Sequence, residues 1–177
     1  MKTKVVLLVG ESGSGKTTLE KELMSRGFHC IESYTTREPR YEGERGHIFA
    51  SVSDFNWTTD IVAQTAFDNN YYWTTREQFN REGIIIYTVD IQGVKDCINN
   101  LPIDTEVYTV YLKTSTITRL NRMTNQDRSY EDVIRRLKHD ELVFKYKDTM
   151  EFDRVIDANR DLDFVLMDMM QFLRGIV

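Results

Sequence analysis

Apolar residues fall into short unbroken runs separated by longer stretches with helical spacing. KVVLLV (Lys4 to Val9), IIIYTVD (Ile84 to Asp90) and EVYTVYL (Glu106 to Leu112) are strand-like. The first two lack a polar face, as expected of strands covered on both sides in a parallel sheet. TTLEKELMSRG sets Leu19 and Leu23 at helical spacing, with Gly27 as its stop. FHCIES (Phe28 to Ser33) predicts another strand, and the polar chain from Tyr34 to Arg45, broken by Pro39 and Gly43, a loop. GHIFASV predicts a short strand before a helical stretch near Ser53. IVAQTAF and YYWTT flank Asp68-Asn69-Asn70 as a hairpin does. TREQFNREG reads as a short helix ending at Gly83, and QGVKDCINN as another. After the third core strand comes a helical region interrupted between Met123 and Arg128, with Ser129 and Asp132 spaced as a capping box. FDRVIDAN predicts the last strand, and DLDFVLMDMMQFLRG a closing amphipathic helix. This alternation predicts an α/β fold, a parallel sheet flanked by helices.

Composition narrows the classes. The 177 residues fit one domain, and no repeat or low-complexity linker divides them. A net charge of −5 argues against a dedicated nucleic-acid binder. The N-terminal apolar run is too short for a signal peptide or a membrane span. The two cysteines, Cys30 and Cys97, have no metal-ligand spacing. Two reduced thiols and a cytoplasmic location are the expectation. Asn56-Trp57-Thr58 matches a glycosylation sequon, an accidental match in that compartment.

Gly10-Glu11-Ser12-Gly13-Ser14-Gly15-Lys16-Thr17 fits G-x-x-x-x-G-K-[ST] at every fixed position, after a buried strand and before a helix. Such a loop turns successive N–H groups toward a phosphate at a helix N-terminus. Lys16 then reaches the β- and γ-phosphates, and the Thr17 hydroxyl can hold Mg²⁺. A flexible turn that happens to carry a lysine explains the pattern poorly. Gly10, Ser12, Gly13, Ser14, Gly15, Lys16, Thr17 and Thr18 are the candidate ATP-binding residues.

SYTTREPR (Ser33 to Arg40) follows the second predicted strand. Alone it reads as a solvated loop. Beside a phosphate-binding loop its arginines suit a second phosphate, because a planar guanidinium fork grips one with paired hydrogen bonds. Ligands of open α/β sheets collect at the carboxyl edge that both segments follow. Asp90 closes a buried strand near that edge, where a carboxylate can position metal-bound water or cap the next helix.

GESGSGKTTL, SYTTREPR, NNYYWTT and VDIQGVK, in this order, resemble the successive signatures of guanylate kinases over nearly the whole chain. The resemblance implies a P-loop NTPase core, a small β-rich monophosphate-binding insertion and an arginine-bearing helical lid. It implies Mg²⁺-dependent transfer of the γ-phosphoryl group from ATP to GMP or dGMP. The expected division is one domain with a core of about 1–33, 84–118 and 148–177, an acceptor region of about 34–83 and a lid of about 119–147. Ser33, Arg37, Arg40 and Tyr72 would bind the acceptor, and Asp90 would sit near Mg²⁺ or the acceptor phosphate. His47 stands where the family usually has a tyrosine, and Thr74 where it has a serine; Thr74 also has the spacing to cap the following helix. Ala63 and Thr88 replace two guanine-reading carboxylates, unless Asp60 or Asp68 substitutes in a shifted register. Fewer such acceptors imply weaker base discrimination.

Arg119, Arg122, Arg128, Arg135 and Arg136 crowd the lid segment. Phosphoryl transfer is catalysed largely by positioning and charge neutralisation, so Arg119, Arg135 and Arg136 are the catalytic candidates, with Arg128 close behind. A helix face laced by Glu131, Asp132 and Asp140 is the competing explanation. VIDANRDLD resembles the adenine-side loop, with Asn159 at the ATP base. A related small-molecule kinase, such as a ribosyl bisphosphate or broad deoxynucleotide kinase, is the alternative. A non-catalytic guanylate-kinase-like interaction module fits less well, because Lys16 and Thr17 are both present. The expected partners are small nucleotides, with neither nucleic acid nor membrane, for a monomer or homodimer.

Overall fold

The computed structural model describes residues 2–126 and 128–177. A five-stranded parallel sheet has the order β2-β7-β1-β8-β9, built from β1 (Thr3–Val9), β2 (His29–Cys30), β7 (Gly83–Val89), β8 (Glu106–Lys113) and β9 (Arg154–Asp157). Central β1 shows why its sequence lacks a polar face. Val5, Leu7 and Val9 pack on one side with Ile85, Val94 and Cys97, while Val6 and Leu8 pack on the other with Leu19, Leu23 and Met169. The second layer belongs to α1 (Lys16–Ser25) and the closing helix α6 (Leu162–Ile176). The chain leaves β1 toward β7 and β2 and later returns on the other side with β8. The loop after β1 therefore opens at a switch point on the carboxyl edge.

A four-stranded sheet, order β4-β3-β6-β5, holds β3 (Ser33–Thr35), β4 (His47–Phe49), β5 (Ile61–Phe67) and β6 (Asn70–Thr75). The single strand expected over Phe28 to Ser33 divides between the sheets. The Ile31 N–H still bonds to Ile86 O, whereas the Glu32 carbonyl accepts from the Gln78 amide and the chain crosses over. Asp68 and Asn69 both take positive φ (54° and 58°) in the β5–β6 turn, a twist that suits a tight hairpin. Helix α2 (Val52–Trp57) begins at a complete Ser51–Asp54 capping box. The cap expected at Thr74 lies one residue later: Thr75 and Gln78 make the box, while Thr74 is buried with its hydroxyl 3.4 Å from Tyr87 Oη. The expected helix after it is a single 3-10 turn, Arg76–Phe79.

Helix α3 (Ile91–Asn100) follows β7, and the lid segment forms α4 (Thr116–Thr124) and α5 (Tyr130–Val143). Ser129 caps α5 by accepting the Asp132 N–H, as its spacing predicts. Among the described residues no helix is long and apolar enough to cross a membrane.

Candidate active site

The nucleotide loop derives its shape from glycine. Gly13 and Gly15 take φ of 77° and 102°, a region open to few other residues. A Cβ on Gly13 would also stand 2.8 Å from the Arg119 carbonyl, so the backbone of α4 rests directly on the loop. Gly15 caps α1, leaving the helix N-terminus open to an anion.

Lys16 Nζ donates to the Gly10 carbonyl and, at 3.1 Å, to the Glu11 carbonyl. Burial draws its pKa down to about 8, opposed by the nearby carboxylates of Asp140, Glu11 and Asp90. Glu11 is 2% exposed and accepts from Tyr111 Oη at 2.8 Å and from Lys147 Nζ. Burial pushes its carboxyl up, but these bonds outweigh burial and hold it below its ordinary value.

Two cavities meet at this loop. The larger, about 740 Å³, runs from the loop past Arg122, Ala158, Arg160 and Leu162. The smaller, about 400 Å³, runs from the loop between the two sheets. Ser12, Lys16, Thr17, Arg40, Arg128 and Arg136 border both.

The smaller cavity is lined by Ser33, Arg40, Glu44, His47 and Tyr72. Arg37 lies just behind, its two terminal nitrogens on Glu44 at 2.9 and 3.1 Å and its guanidinium over the Phe49 ring. Glu44 also accepts the Arg40 N–H at 2.7 Å. The Arg37 bonds hold the Glu44 carboxyl down to about 2, so it stays ionised and braces both arginines. His47 Nδ1 lies 3.1 Å from Ser33 Oγ, and burial with the nearby Arg37 charge lowers the imidazole pKa. A protonated His47 is thus disfavoured in the free protein; the ring offers one hydrogen bond, not a charge.

The same cavity is lined by Ala63, Thr65, Thr88 and Asp90, with Thr65 the cross-strand partner of Tyr72. Asp90 caps α3 through the Gly93 N–H at 2.7 Å and accepts the Thr65 hydroxyl at 3.0 Å, so capping and cavity roles coexist. Thr88 Oγ1 is buried with no hydrogen-bond partner among the described residues. Of the two offered substitute carboxylates, Asp60 and Asp68, neither lines either cavity, and Asp68 pairs with Arg135 at 2.5 Å. Glu20 also lines this cavity; burial raises its carboxyl to about 7, and no sequence motif marked it.

A guanylate kinase family profile matches residues 2–175. The chain belongs to the guanylate kinase family. No curated protein matches the chain. Among solved structures it is similar to a guanylate kinase from Anaplasma phagocytophilum (TM-score 0.67, 20% identity, 99% of this chain and 87% of that one). It is also similar to a gluconokinase from Sinorhizobium meliloti 1021 (TM-score 0.59, 13% identity, 98% of this chain and 93% of that one). At such identities these two likenesses concern the fold alone. Family membership makes the protein a P-loop nucleoside monophosphate kinase.

In this guanylate kinase fold the lid arginines divide sharply. Arg128, Arg135 and Arg136 converge on Asp132 at 3.2, 2.5 and 2.9 Å, and Arg128 and Arg136 face both cavities. Arg135, the outer one, borders neither. Arg119 is 6% exposed and also borders neither, pairing instead with Asp140 at 2.9 Å. Arg122, not among the chosen candidates, reaches the Ser14 carbonyl at 3.2 Å and the Ala158 carbonyl at 2.8 Å inside the larger cavity. Asn159 turns toward α4, accepting the Ser115 N–H at 2.9 Å and the Thr118 hydroxyl at 3.0 Å, so its side chain is engaged in joining β9 to α4. An R-x-x-R spacing does not say which arginine meets a cavity: Arg122 lines the larger one, and Arg119 is buried against Asp140.

Proposed function

We propose that the protein transfers the γ-phosphoryl group of ATP to a nucleoside monophosphate, with GMP or dGMP as acceptor. The observation that carries this reading is the seam of Ser12, Lys16, Thr17, Arg40, Arg128 and Arg136 shared by the two cavities. A triphosphate laid along the loop ends its γ-phosphate at that seam. The acceptor phosphate, held by Arg40, Ser33, His47 and Tyr72 with Arg37 and Glu44 behind, approaches from the other side. An acceptor oxygen attacks the γ-phosphorus in line, the bond to the β-phosphate oxygen breaks, and ADP departs with the electron pair. Lys16, Arg128 and Arg136 neutralise the phosphate charge during transfer, and the shared cavity excludes water as competing nucleophile.

The Thr17 hydroxyl and the Asp90 carboxylate are hard oxygen donors beside the seam, and Asp90 keeps further lone pairs beyond its bonds to Gly93 and Thr65. This donor set fits Mg²⁺, which takes few protein ligands and keeps water and phosphate oxygens. Thr17 and Asp90 would hold such an ion, which when bound would add charge neutralisation for the transferred phosphoryl group.

For the base, the unpartnered Thr88 hydroxyl, Gln64 and Thr65 are polar groups of the smaller cavity, with Ala63 and Thr88 where two carboxylates are absent. Guanine presents N–H donors that such acceptors satisfy, and discrimination against other bases falls short of a two-carboxylate site. The test is ADP release, coupled to a reporter, with Mg·ATP and GMP, dGMP, AMP, CMP, UMP, dTMP or ribose bisphosphate. GMP and dGMP should give the highest kcat/KM. Folded protein that turns over none of these acceptors would refute the reading.

A further inference from the structure

Asp140 lies on the buried stripe of α5, one helical repeat from Val133 and one turn before Phe144, where the periodicity calls for an apolar residue. It is 5% exposed. A carboxylate there is costly unless donors surround it. Oδ2 accepts the Ser12 N–H at 2.9 Å and an Arg119 nitrogen at 2.9 Å, and Oδ1 takes the Ser12 hydroxyl at 3.1 Å. The same Arg119 nitrogen reaches the Ser12 carbonyl at 3.4 Å, while the Arg119 main-chain oxygen bears on Gly13.

We propose that Asp140 is a positioning residue of the nucleotide loop: with Arg119 it clamps Ser12 by its N–H, hydroxyl and carbonyl, and so holds the loop in its phosphate-receiving shape. Three observations support a clamp over a phosphate contact. Arg119 borders neither cavity, so its charge is spent on Asp140 and Ser12; Asp140 reaches the lining of the smaller cavity, where a carboxylate would repel rather than bind a phosphate. The pair embraces one residue from both sides of its peptide, which a group waiting for ligand has no reason to do. Gly13, the next residue, leaves no room for a Cβ against the backbone of the helix that carries Arg119, so the loop apex packs closely on that helix. Burial raises the Asp140 carboxyl above its ordinary value despite these donors, consistent with a site whose companions must stay in place. Arg119 accordingly acts through the loop and is a positioning residue as well.

This inference rests on the loop being the ATP site and not on the acceptor's identity, so its test needs no acceptor. Mg·ATP and Mg·ADP affinities are measured by calorimetry for the full chain, D140N, R119K and the double variant, well below each variant's Tm. D140N preserves shape and removes charge; R119K keeps charge and loses the fork, which guards against a single variant that fails to fold. Each single variant should weaken both nucleotides about tenfold, and the double variant should be no weaker than the worse single, because the two residues act as one unit. A purely structural pair would lower Tm while leaving both Kd values within about twofold of the parent, and that result overturns the proposal. Tighter Mg·ATP binding by D140N also overturns it, since the carboxylate would then be competing with phosphate for Ser12.

Discussion

The nucleotide loop and the proposed acceptor pocket are both suited to phosphate, and they are built on opposite plans. The loop offers backbone N–H groups whose geometry is fixed by glycine conformations and by packing from behind, with Glu11 tied to Tyr111 and Lys147 and Ser12 to Asp140 and Arg119. The acceptor pocket offers long side chains on an irregular segment, disciplined by one carboxylate, Glu44. A backbone site is readable as a contiguous motif, because the residues that bind are neighbours in sequence. A side-chain site is assembled by the fold, and its braces carry no motif of their own.

The largest effect should come from the loop. Lys16→Ala removes one of the charges at the proposed transfer seam, the one carried by the loop itself, and transfer should slow by about 10²–10³-fold, as for a lost transition-state donor. Acceptor affinity, measured by calorimetry without ATP, should stay within about twofold. Loss of acceptor binding to the same degree would mean that the two sites are not separately built.

Glu44 is the corresponding test on the other side. Glu44→Gln keeps the shape of the brace and removes its charge, so Arg37 and Arg40 lose their common anchor. The acceptor KM should rise about tenfold, the scale of a charge-assisted hydrogen bond, with the KM for ATP nearly unchanged. Arg37, confined behind the pocket, discriminates better here than Arg40, which borders both cavities. The pH dependence has a definite sign. The Glu44 carboxyl is held at about 2 against an ordinary 4.5, so its contribution to stability is complete above pH 4.5 and is lost as pH falls toward 2. In urea titrations the gap between parent and E44Q should be constant above pH 4.5 and narrow below it. A gap that widened in acid would contradict the ion pairing.

Much of this architecture was legible in sequence for physical reasons that differ along the chain. The unbroken run of β1 announced a strand covered on both faces, and Gly10 to Thr17 announced its loop, since both depend on local patterns. FHCIES misled because hydropathy does not record that a chain crosses between sheets after Ile31. Helical spacing does not say which face of the lid meets the cavity, so the sequence could not show that Arg122 lines it while Arg119 is buried against Asp140. Asp140 entered the sequence reading only through the competing charged-face explanation, and its burial follows from Ser12 and Arg119, residues distant in sequence. Glu44 went unnoticed inside a polar loop because its importance comes from what it braces.

The smallest expected effect concerns how the two sides communicate. The tip of the β5–β6 hairpin touches the lid: Asp68 pairs with Arg135, and the Phe67 ring packs edge-on against His139 and under Arg135 and Arg136. The ion pair is roughly half exposed, with side-chain exposures of 47% and 42%, so it contributes at most about 1 kcal/mol and is screened by salt. If this contact couples acceptor capture to lid docking, acceptor affinity should rise when ATP is bound, and Asp68→Asn should reduce that rise by about two- to fivefold without changing either affinity alone. The measurement is acceptor Kd with and without a non-transferable ATP analogue, at low salt and again at high salt. Because the pair is exposed, the parent at high salt should behave like D68N at low salt. Coupling that ignores both salt and D68N would assign communication to the shared seam of arginines, leaving the hairpin contact as packing alone.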